Sequence, residues 1–452
     1  MTGVNKSRRK DERGITIILV AFSLLALLGM AALAIDVSTL YVAHGEAQRA
    51  ANAAALAGAR MFAFSGYTSV STPSPSTPAA ADVCQTSAVP GADAAANRQA
   101  EAVAAQNLVA GQPAAVQSIA CNPTAANPQI TVTIQRTGLP TFFGRIWGGA
   151  ANSVTATAMA EAYNPSGSTA PIQVLGVKPW LIPNCDPTTA GPGDCALGGR
   201  FVDNITGAIQ NNGSFVGKTI TLTHVVGAAT PNVSTTLPFL TLDYYRANVP
   251  INPPAPVCPS TSAVGCSQVG SDDYLDNIAC ASAYQFSCGQ IVGAGQAVSV
   301  QTGGGLGVET NEGTQCLIHA TGQGTGFGQD VLTDVGNSPP VTIAGGDNNP
   351  NPLLQGITSI SRSDSIVTLP IYHQAAGPNL CPGGCTQTAT IVGFLQVGIT
   401  QNVPNATSPP GAVANGKIEG VIMNVAGCNS GAGGTAVSGG GVSPIPVRLI
   451  HQ

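Results

Sequence analysis

The stretch RGITIILVAFSLLALLGMAALAIDVSTLYVAHGEAQRAANAAALAGARM, residues 13–61, organises this chain. From Ile15 to Ile35 it contains 21 residues without a charge, bounded by Arg13 and Asp36. A helix of that length is about 30 Å long at about 1.5 Å per residue, which matches the hydrocarbon core of a bilayer. The sequence therefore predicts a single transmembrane helix over 15–35. Because an alanine-rich segment without proline follows, we expect the helix to continue outside the membrane.

Basic residues next to this span predict its orientation. Five of the 17 Lys and Arg residues of the chain lie in the first 13 positions, namely Lys6, Arg8, Arg9, Lys10 and Arg13. Short segments rich in Lys and Arg stay on the cytoplasmic side of a membrane. Residues 1–14 are therefore predicted to be a cytoplasmic basic tail, and the chain after Asp36 is predicted to be extracytoplasmic. The net charge of −5 argues against a nucleic-acid partner, because the body has no basic patch to neutralise phosphates.

A second interpretation of the N-terminal region stays open. The basic tail, the apolar stretch and Ala32-Leu33-Ala34 together resemble a cleavable signal peptide with an Ala-x-Ala site. The apolar run is longer than the usual hydrophobic region of about 7–15 residues, and helical character continues beyond the cut. These features favour a retained signal anchor over cleavage after Ala34.

All 12 cysteines follow the span, which is consistent with an oxidising compartment. Disulfides between closely spaced cysteines are the favoured interpretation, while the full connectivity stays open. The close pairs are Cys185/Cys195, Cys258/Cys266, Cys280/Cys288 and Cys381/Cys385. The sequence has no Cys-x-x-Cys pair, and its five histidines lack metal-ligand spacing, so no metal or cofactor is predicted.

Residues 36–163 are predicted to form an α+β domain. Val37, Leu40 and a series of alanines recur at steps of three and four up to Phe64, which predicts a helix with a narrow stripe of small residues. A second helix is predicted over 92–109, and period-two alternation predicts strands over 129–137 and 153–162. The aromatic-rich link 139–148 is expected to pack over this sheet. Residues 164–171, rich in Pro and Ser, are predicted to be a linker.

Residues 172–452 are predicted to form an all-β, disulfide-containing extracytoplasmic domain. Strand-like segments recur here between Gly- and Pro-rich turns, which is typical of a sandwich or another all-β fold. The predicted strands are 172–177, 218–226, 297–301, 341–344, 365–371, 388–397, 417–425 and 444–449.

Several N-terminal motifs resemble the TadE/TadG-like proteins of Flp (tight adherence) pilus assembly. They are Arg13-Gly14 before the span, AIDVSTLYVA at 34–43, QRAANAAALAG at 48–58, LPTFFGRI at 139–146 and VTATA at 154–158. The resemblance covers about residues 10–163 and implies a pilin-like N-terminal domain. It also implies a protein of the bacterial inner membrane with a periplasmic or surface-exposed body. Its implied partners are the cytoplasmic membrane and other Tad/Flp pilus or secretion components.

Two family features are incomplete in this chain. Relatives processed like prepilins carry Glu five residues after a Gly cleavage site, whereas Leu19 stands five residues after Gly14. This difference argues against cleavage after Gly14. Some larger relatives have a von Willebrand-type metal site with Asp-x-Ser-x-Ser, which neither Asp36-Val-Ser-Thr-Leu nor Asp364-Ser-Ile-Val-Thr completes. No metal site is therefore assigned.

For the remaining candidate residues, the sequence favours structural roles over functional ones. Asp36 could pair with a partner's cation, but a solvated charge at the end of the span is favoured. Cys316 and His319, with Asp330 nearby, suggest a nucleophilic site only weakly, because the compartment favours a disulfide at Cys316. The segments 272–276 and 345–350 are oxygen-rich but lack the spacing of a calcium loop. The sequons at Asn204, Asn232 and Asn405 are uninformative for a bacterial protein.

The sequence thus predicts no catalytic, cofactor-binding or metal-binding residue, and the chain is predicted not to be an enzyme. The favoured function is a membrane-anchored component of Tad/Flp-type pilus assembly or secretion. The alternative is a surface-exposed adhesin or envelope-binding protein that uses a pilin-like anchor. The ligand of residues 172–452 is not specified by any motif.

Overall fold

The structure is a computed structural model of the 452-residue chain. It describes residues 8–69, 80–88, 90–123, 127–139, 141, 143, 152–166, 172–190, 198–223, 239–241, 243–247, 273–280, 285–300, 307–319, 328–333, 342–373, 388–402, 418–429, 437–438 and 443–450. The side chains of residues 8–13 and of some residues within the later helices and strands are outside this description.

Five α-helices are present in the described residues, and the first is by far the longest. They are α1 (Arg8–Phe64), α2 (Ala80–Val83), α3 (Ala95–Gln106), α4 (Asp273–Ala279) and α5 (Gly307–Leu317). The predicted helix from Asp36 to Phe64 is confirmed as the second half of α1. The helix predicted over 92–109 is shorter and begins at Ala95. It ends at Gln106 because Leu108 and Val109 pair instead with Pro113 and Gln112, across a turn at Ala110 and Gly111 where both residues have positive φ.

The strands of the described residues are short apart from four long ones. They are β1 (Leu108–Val109), β2 (Gln112–Pro113), β3 (Ala115–Asn122), β4 (Gln129–Leu139), β5 (Asn152–Ala162), β6 (Ile172–Val174), β7 (Trp180–Pro183), β8 (Asp186–Ala190), β9 (Gly198–Gly199), β10 (Thr219–Thr223), β11 (Phe239–Thr241), β12 (Asp243–Ala247), β13 (Phe286–Ser287), β14 (Ile291–Gly293), β15 (Val298–Val300), β16 (Val331–Thr333), β17 (Thr342–Ala344), β18 (Ile366–His373), β19 (Thr388–Asn402), β20 (Ile418–Gly427), β21 (Val437–Ser438) and β22 (Val447–Ile450).

The helix α1 packs on a four-stranded antiparallel sheet. Its strand order is β22-β5-β4-β3, so the strand nearest the end of the chain joins a sheet that is otherwise built before residue 163. The strands predicted over 129–137 and 153–162 are confirmed as β4 and β5. The sequence did not predict β3, because a bulge between Val116 and Ser118 interrupts the period-two alternation.

The later part of the chain is largely β, as predicted. Its main sheet has nine strands in the order β11-β10-β20-β19-β18-β7-β12-β15, with β14 paired to β19. The all-β expectation is wrong in one respect, because α4 and α5 lie in this part. The sequence of α5, GVETNEGTQCL, has no apolar periodicity that would have predicted a helix.

The two faces of the nine-stranded sheet are buried in different cores. Along β20, Val421 and Met423 belong to the core that contains the alanines of α1. Ile422, between them, belongs to a second core with Trp180. Alternate residues of one strand point to opposite faces, so β20 separates the two cores. The first core therefore runs without interruption from α1 into the β-rich part.

Two disulfides are described in full, and neither joins a close pair. Cys84 bonds with Cys121, and Cys288 bonds with Cys428, 140 residues further along the chain. The expectation of a Cys280–Cys288 bond is therefore wrong. The fold brings the turn after β13 next to the end of β20, and sequence spacing does not encode this approach. Every cysteine among the described residues is disulfide-bonded.

Candidate functional site

The first half of α1 exposes large apolar side chains along its length. Among the described residues, α1 from Gly14 to Phe64 is the one helix long and apolar enough to cross a membrane. Its exposed side chains are Ile15, Ile17, Ile18, Leu19, Val20, Phe22, Leu24, Leu25, Leu27, Leu28, Met30, Leu33 and Ile35. Exposed apolar surface of this extent is unfavourable in water, which makes the segment the candidate anchor.

Asp36 ends the uncharged segment and contacts the body. Its carboxylate accepts a hydrogen bond from the backbone N–H of Phe143, at 3.1 Å to Oδ2. The expectation that Asp36 is only solvated is therefore incomplete, because the residue also holds the link between β4 and β5. The rest of the aromatic-rich link, apart from Leu139 and Thr141, lies outside the described residues.

The second half of α1 buries small side chains against α3 and the first sheet. Of the seven positions in the predicted stripe, the five alanines at 43, 47, 50, 54 and 57 are buried. Val37 is exposed and Leu40 is half-buried against the core, so the stripe becomes an internal contact from Leu40 onward. Gly58 shows how close this packing is: a Cβ there would lie 2.7 Å from Ile130 Cδ1 and 3.2 Å from the carbonyl oxygen of Ala96.

Polar contacts fix the second half of α1 to the sheet. Gln48 Nε2 donates to the carbonyl oxygen of Thr157 at 3.0 Å. Glu46 Oε2 accepts from the backbone N–H of Ala110 at 2.7 Å. Gln48 thus binds β5, and Glu46 binds the turn between β1 and β2.

The end of α1 is joined to β20 through a buried asparagine. Asn424 is fully buried, and its Nδ2 donates to Ala63 O at 2.5 Å and to Thr68 Oγ1 at 2.8 Å. Its Oδ1 accepts from Ser69 Oγ. The side chain thus satisfies a carbonyl at the helix end, where intrahelical partners are missing. Gly66, with a φ of +71°, lets the chain turn directly against Met423.

The start of the predicted linker takes part in the same junction. Asn164 Nδ2 donates to Thr68 O at 2.8 Å and to Val425 O at 3.2 Å. Ser166 Oγ accepts from the backbone N–H of Gly427 at 2.7 Å. Residues 164–166 therefore bind both the turn that follows α1 and β20, while residues 167–171 lie outside the described residues.

The strand β22 is held to β5 by a charged pair. Arg448 Nη2 lies 2.6 Å from Glu161 Oε1, and the Arg448 guanidinium stands 5.5 Å from the centre of the Tyr163 ring. Glu161 is buried, so its charge is compensated within the sheet.

The histidine and cysteine candidates lie in one buried region. Cys316 is buried and disulfide-bonded, which leaves it without the free thiol that a nucleophile needs. His319 Nε2 lies 2.9 Å from Asp364 Oδ2. The fold therefore pairs His319 with Asp364 rather than with Cys316 or Asp330.

Asp330 meets the oxygen-rich segment 345–350 instead. Its carboxylate accepts hydrogen bonds from the backbone N–H of Gly346, from Asn349 Nδ2 and from Ser363 Oγ. Three neutral donors satisfy this buried carboxylate. Within the described residues, no group of three or more His, Cys, Asp or Glu side chains could hold a metal ion. Asp272 lies outside the described residues, and so do the sequons at Asn232 and Asn405.

Sequence reasoning missed a buried lysine. Lys178 Nζ donates to the carbonyl oxygens of Ile278 and Cys280, each at 2.8 Å, and so satisfies the end of α4. Burial lowers the pKa of Lys178 to about 8, against a smaller opposing effect of Asp364. The nearby residues Val177 and Trp180 are apolar and indicate burial, but the partners of Lys178 lie about 100 residues away in sequence.

Together these features define a class of protein: one candidate membrane helix whose continuation is built into a disulfide-bonded, largely β body. Residues 14–61 match the Tad family model, described as "Putative Flp pilus-assembly TadE/G-like". The N-terminal region of this chain is therefore TadE/G-like, as its motifs indicate. The match includes both the exposed span and the alanine stripe of α1. The comparisons with curated proteins and with solved structures gave no match.

Proposed function

We propose that this protein is a non-enzymatic, single-pass membrane component of Tad/Flp-type pilus assembly or secretion. The observation that carries the proposal is that the segment matching the pilus-assembly family, residues 14–61, contains the exposed apolar half of α1. In this proposal α1 anchors the protein in the bacterial inner membrane. The basic residues before the span support a cytoplasmic N-terminus and a body in the periplasm or at the surface.

Residues 36–163 act as a pilin-like domain in this proposal. The antiparallel sheet packed on the second half of α1 supports that interpretation. The bonds of Asn424 with Ala63 and Thr68 support a fixed connection between the anchor and the β-rich part. The body would therefore be presented in a defined orientation to partners in the assembly system.

Deletion of the gene, with complementation by wild type and by an anchor variant, tests this function. The anchor variant carries Leu24→Arg and Leu28→Arg, two exposed positions of the span. The proposal predicts loss of Flp pili in the deletion strain, recovery with wild type and no recovery with the anchor variant. Unchanged pili in the deletion strain would contradict it. Unchanged pili with reduced surface attachment would favour the adhesin alternative.

Mass-spectrometric sequencing of the mature N-terminus distinguishes a retained anchor from processing after Gly14 and from signal-peptide cleavage after Ala34. A retained anchor predicts Met1 or Thr2 as the first residue. Processing after Gly14 would give Ile15, and signal-peptide cleavage would give Ile35. Because α1 runs without a break from Arg8 to Phe64, cleavage after Ala34 would divide one helix. An N-terminus at Ile35 would contradict the proposal that α1 anchors the protein in the membrane.

A further inference from the structure

Two arginines meet where the end of α1 packs against the loop between β17 and β18. Arg60 lies near the end of α1, between the fully buried Ala59 and Met61, and is itself half-buried. Arg362 is exposed in the loop. At about 1.5 Å per residue, position 60 is about 36 Å along α1 from Asp36, so this place belongs to the body and is remote from the candidate anchor.

The helix α3 connects the surroundings of the two arginines. A Cβ at Gly58, two residues before Arg60, would lie 3.2 Å from a backbone oxygen of α3. Gln99 of α3 accepts a hydrogen bond of 3.4 Å from Ser359 of the loop, three residues before Arg362. Burial lowers the pKa of Arg60, and the positive charge of Arg362 lowers it further. The two guanidinium groups are therefore neighbours.

The described residues provide too little negative charge for this pair. The Arg60 guanidinium makes no hydrogen bond or ion pair with any of them. Asp364, two residues after Arg362, already bonds to His319 Nε2 at 2.9 Å. Burial raises the pKa of Asp364, but that bond and the nearby positive charges, including those of Lys178 and Arg362, lower it overall. One carboxylate is thus shared among several cations.

An anion between the two arginines would compensate their charges. Asp330, the next acid beside the loop, is held by three neutral donors and does not serve this purpose. Like charges in a half-buried place are unfavourable unless a counterion joins them. A guanidinium donates two parallel hydrogen bonds to an oxyanion. A tetrahedral phosphate group accepts such pairs from two arginines at once, whereas a carboxylate has only two oxygens, in one plane.

We propose that Arg60 and Arg362 form an anion site that binds a phosphate group, either as the free ion or as a phosphate ester. The bound group joins the end of α1 to the loop before β18, so its binding strengthens the contact between α1 and the β-rich part. The inference does not depend on the crossing of a membrane by α1, so its failure leaves the proposed function untouched.

Thermal melts of the full chain in detergent, in a buffer free of phosphate, test the site. Inorganic phosphate and glycerol 3-phosphate are added in separate series, with sodium chloride and sodium acetate at equal ionic strength as controls. A ligand that binds the folded state alone stabilises it by mass action, so inorganic phosphate should raise the Tm more than either control salt does. A rise with glycerol 3-phosphate as well identifies a site for phosphate esters, and a rise with inorganic phosphate alone identifies a site for the free ion.

Variants of the two arginines locate the binding. Arg60→Gln and Arg362→Gln should each remove most of the rise in Tm. In calorimetric titrations their affinity for inorganic phosphate should be at least about tenfold weaker, because each loses charge-assisted hydrogen bonds. Arg49→Gln removes an exposed arginine of the same helix and should keep the full rise. Because Arg362 is exposed, Arg362→Gln should fold, and without phosphate its Tm should be no lower than that of wild type.

Three results would overturn the site. The first is a wild-type Tm that phosphate does not raise, or that chloride or acetate raises equally. The second is a rise that both Arg60→Gln and Arg362→Gln keep, because the phosphate would then bind elsewhere. The third is loss of the rise in Arg49→Gln as well, which would show a general effect of net charge.

Discussion

The two halves of α1 differ in side-chain size, although they form one unbroken helix. Residues 14–42 expose Leu, Ile, Val and Phe side chains, whereas most of the buried positions from residue 43 to residue 59 are alanines. Lipid accommodates large apolar side chains of any shape, because acyl chains rearrange around them. A folded body does not rearrange, so α3 and the sheet approach α1 closely only where its side chains are small. From residue 14 to residue 59, side-chain volume, more than hydrophobicity, separates the candidate anchor from the core, and large side chains are buried only in the last turn, at Met61, Phe62 and Phe64.

Arginine substitutions in the first half of α1 should abolish membrane association and leave the body folded. Each arginine at the centre of a span costs about 2.5–3.5 kcal/mol in insertion, so Leu24→Arg with Leu28→Arg costs about 6 kcal/mol. Flotation of vesicles with the variant is expected to leave the protein in the dense fraction, while Leu24→Ala with Leu28→Ala still floats. An unchanged near-ultraviolet circular dichroism spectrum is expected, because both leucines are exposed in the fold. Loss of that signal would show that the first half also belongs to the body.

The two disulfides should differ in the stability they provide to the two regions. Removing the bond between Cys288 and Cys428, which closes 140 residues, is expected to lower the free energy of unfolding by about 5 kcal/mol. Removing the bond between Cys84 and Cys121, which closes 37 residues, should cost about 4 kcal/mol. Paired Cys→Ala variants in denaturant titrations measure both losses. Equal losses, or a larger loss on removing Cys84–Cys121, would contradict the expectation that the bond closing the longer loop contributes more to stability.

Asn424→Leu should release the end of α1 from β20. The substitution leaves the carbonyl oxygen of Ala63 and the hydroxyls of Thr68 and Ser69 without their buried partner, at a cost of about 3 kcal/mol. Hydrogen–deuterium exchange is expected to accelerate over residues 61–69 more than in the span. The matched control Asn351→Leu, in an exposed loop, should leave exchange in this segment unchanged. Unchanged exchange in Asn424→Leu would show that the junction does not depend on this side chain.

Lys178 should make stability depend on pH at alkaline values. Its pKa is about 8 in the folded state and 10.5 ordinarily, so the unfolded state binds more protons between these values. The free energy of unfolding therefore rises with pH in this window, by about 2 kcal/mol between pH 8 and pH 10. Denaturant titrations of wild type and Lys178→Met measure the difference in slope. The same slope in both proteins would show that Lys178 is not the group responsible.

The smallest changes in stability are expected at two glycines of α1, which form a closely matched pair of test positions. Gly58→Ala places a methyl group 2.7 Å from Ile130 Cδ1, so we expect a net loss of about 1 kcal/mol in stability despite the better helix propensity. Gly45→Ala meets nothing within 4 Å and should gain about 0.5–1 kcal/mol. Thermal melts in detergent distinguish the two variants. A gain at both positions would contradict the close packing of the second half.

Local patterns predicted α1, β4, β5 and eight of the 17 strands described in the later part, among them the long strands β18, β19 and β20. Each of these elements has its periodicity within its own residues, as in the alternation of Ile130, Val132 and Ile134. The junction was not predictable, because Asn424 meets Ala63 across 361 residues and nothing near either residue indicates the contact. The same reason explains the Cys288–Cys428 bond and the pairing of β22 with β5. The alanine stripe predicted close packing, but its partners became identifiable only from the fold.

Protease protection in oriented membranes tests the central claim most directly. The full chain carries one epitope tag at its N-terminus and another at its C-terminus, and proteinase K is added to spheroplasts or to inside-out vesicles. If the first half of α1 crosses the membrane and the second half belongs to an external body, spheroplasts lose the C-terminal tag and keep the N-terminal one. Inside-out vesicles then show the reverse. Removal of both tags from the same side of the membrane would contradict this account.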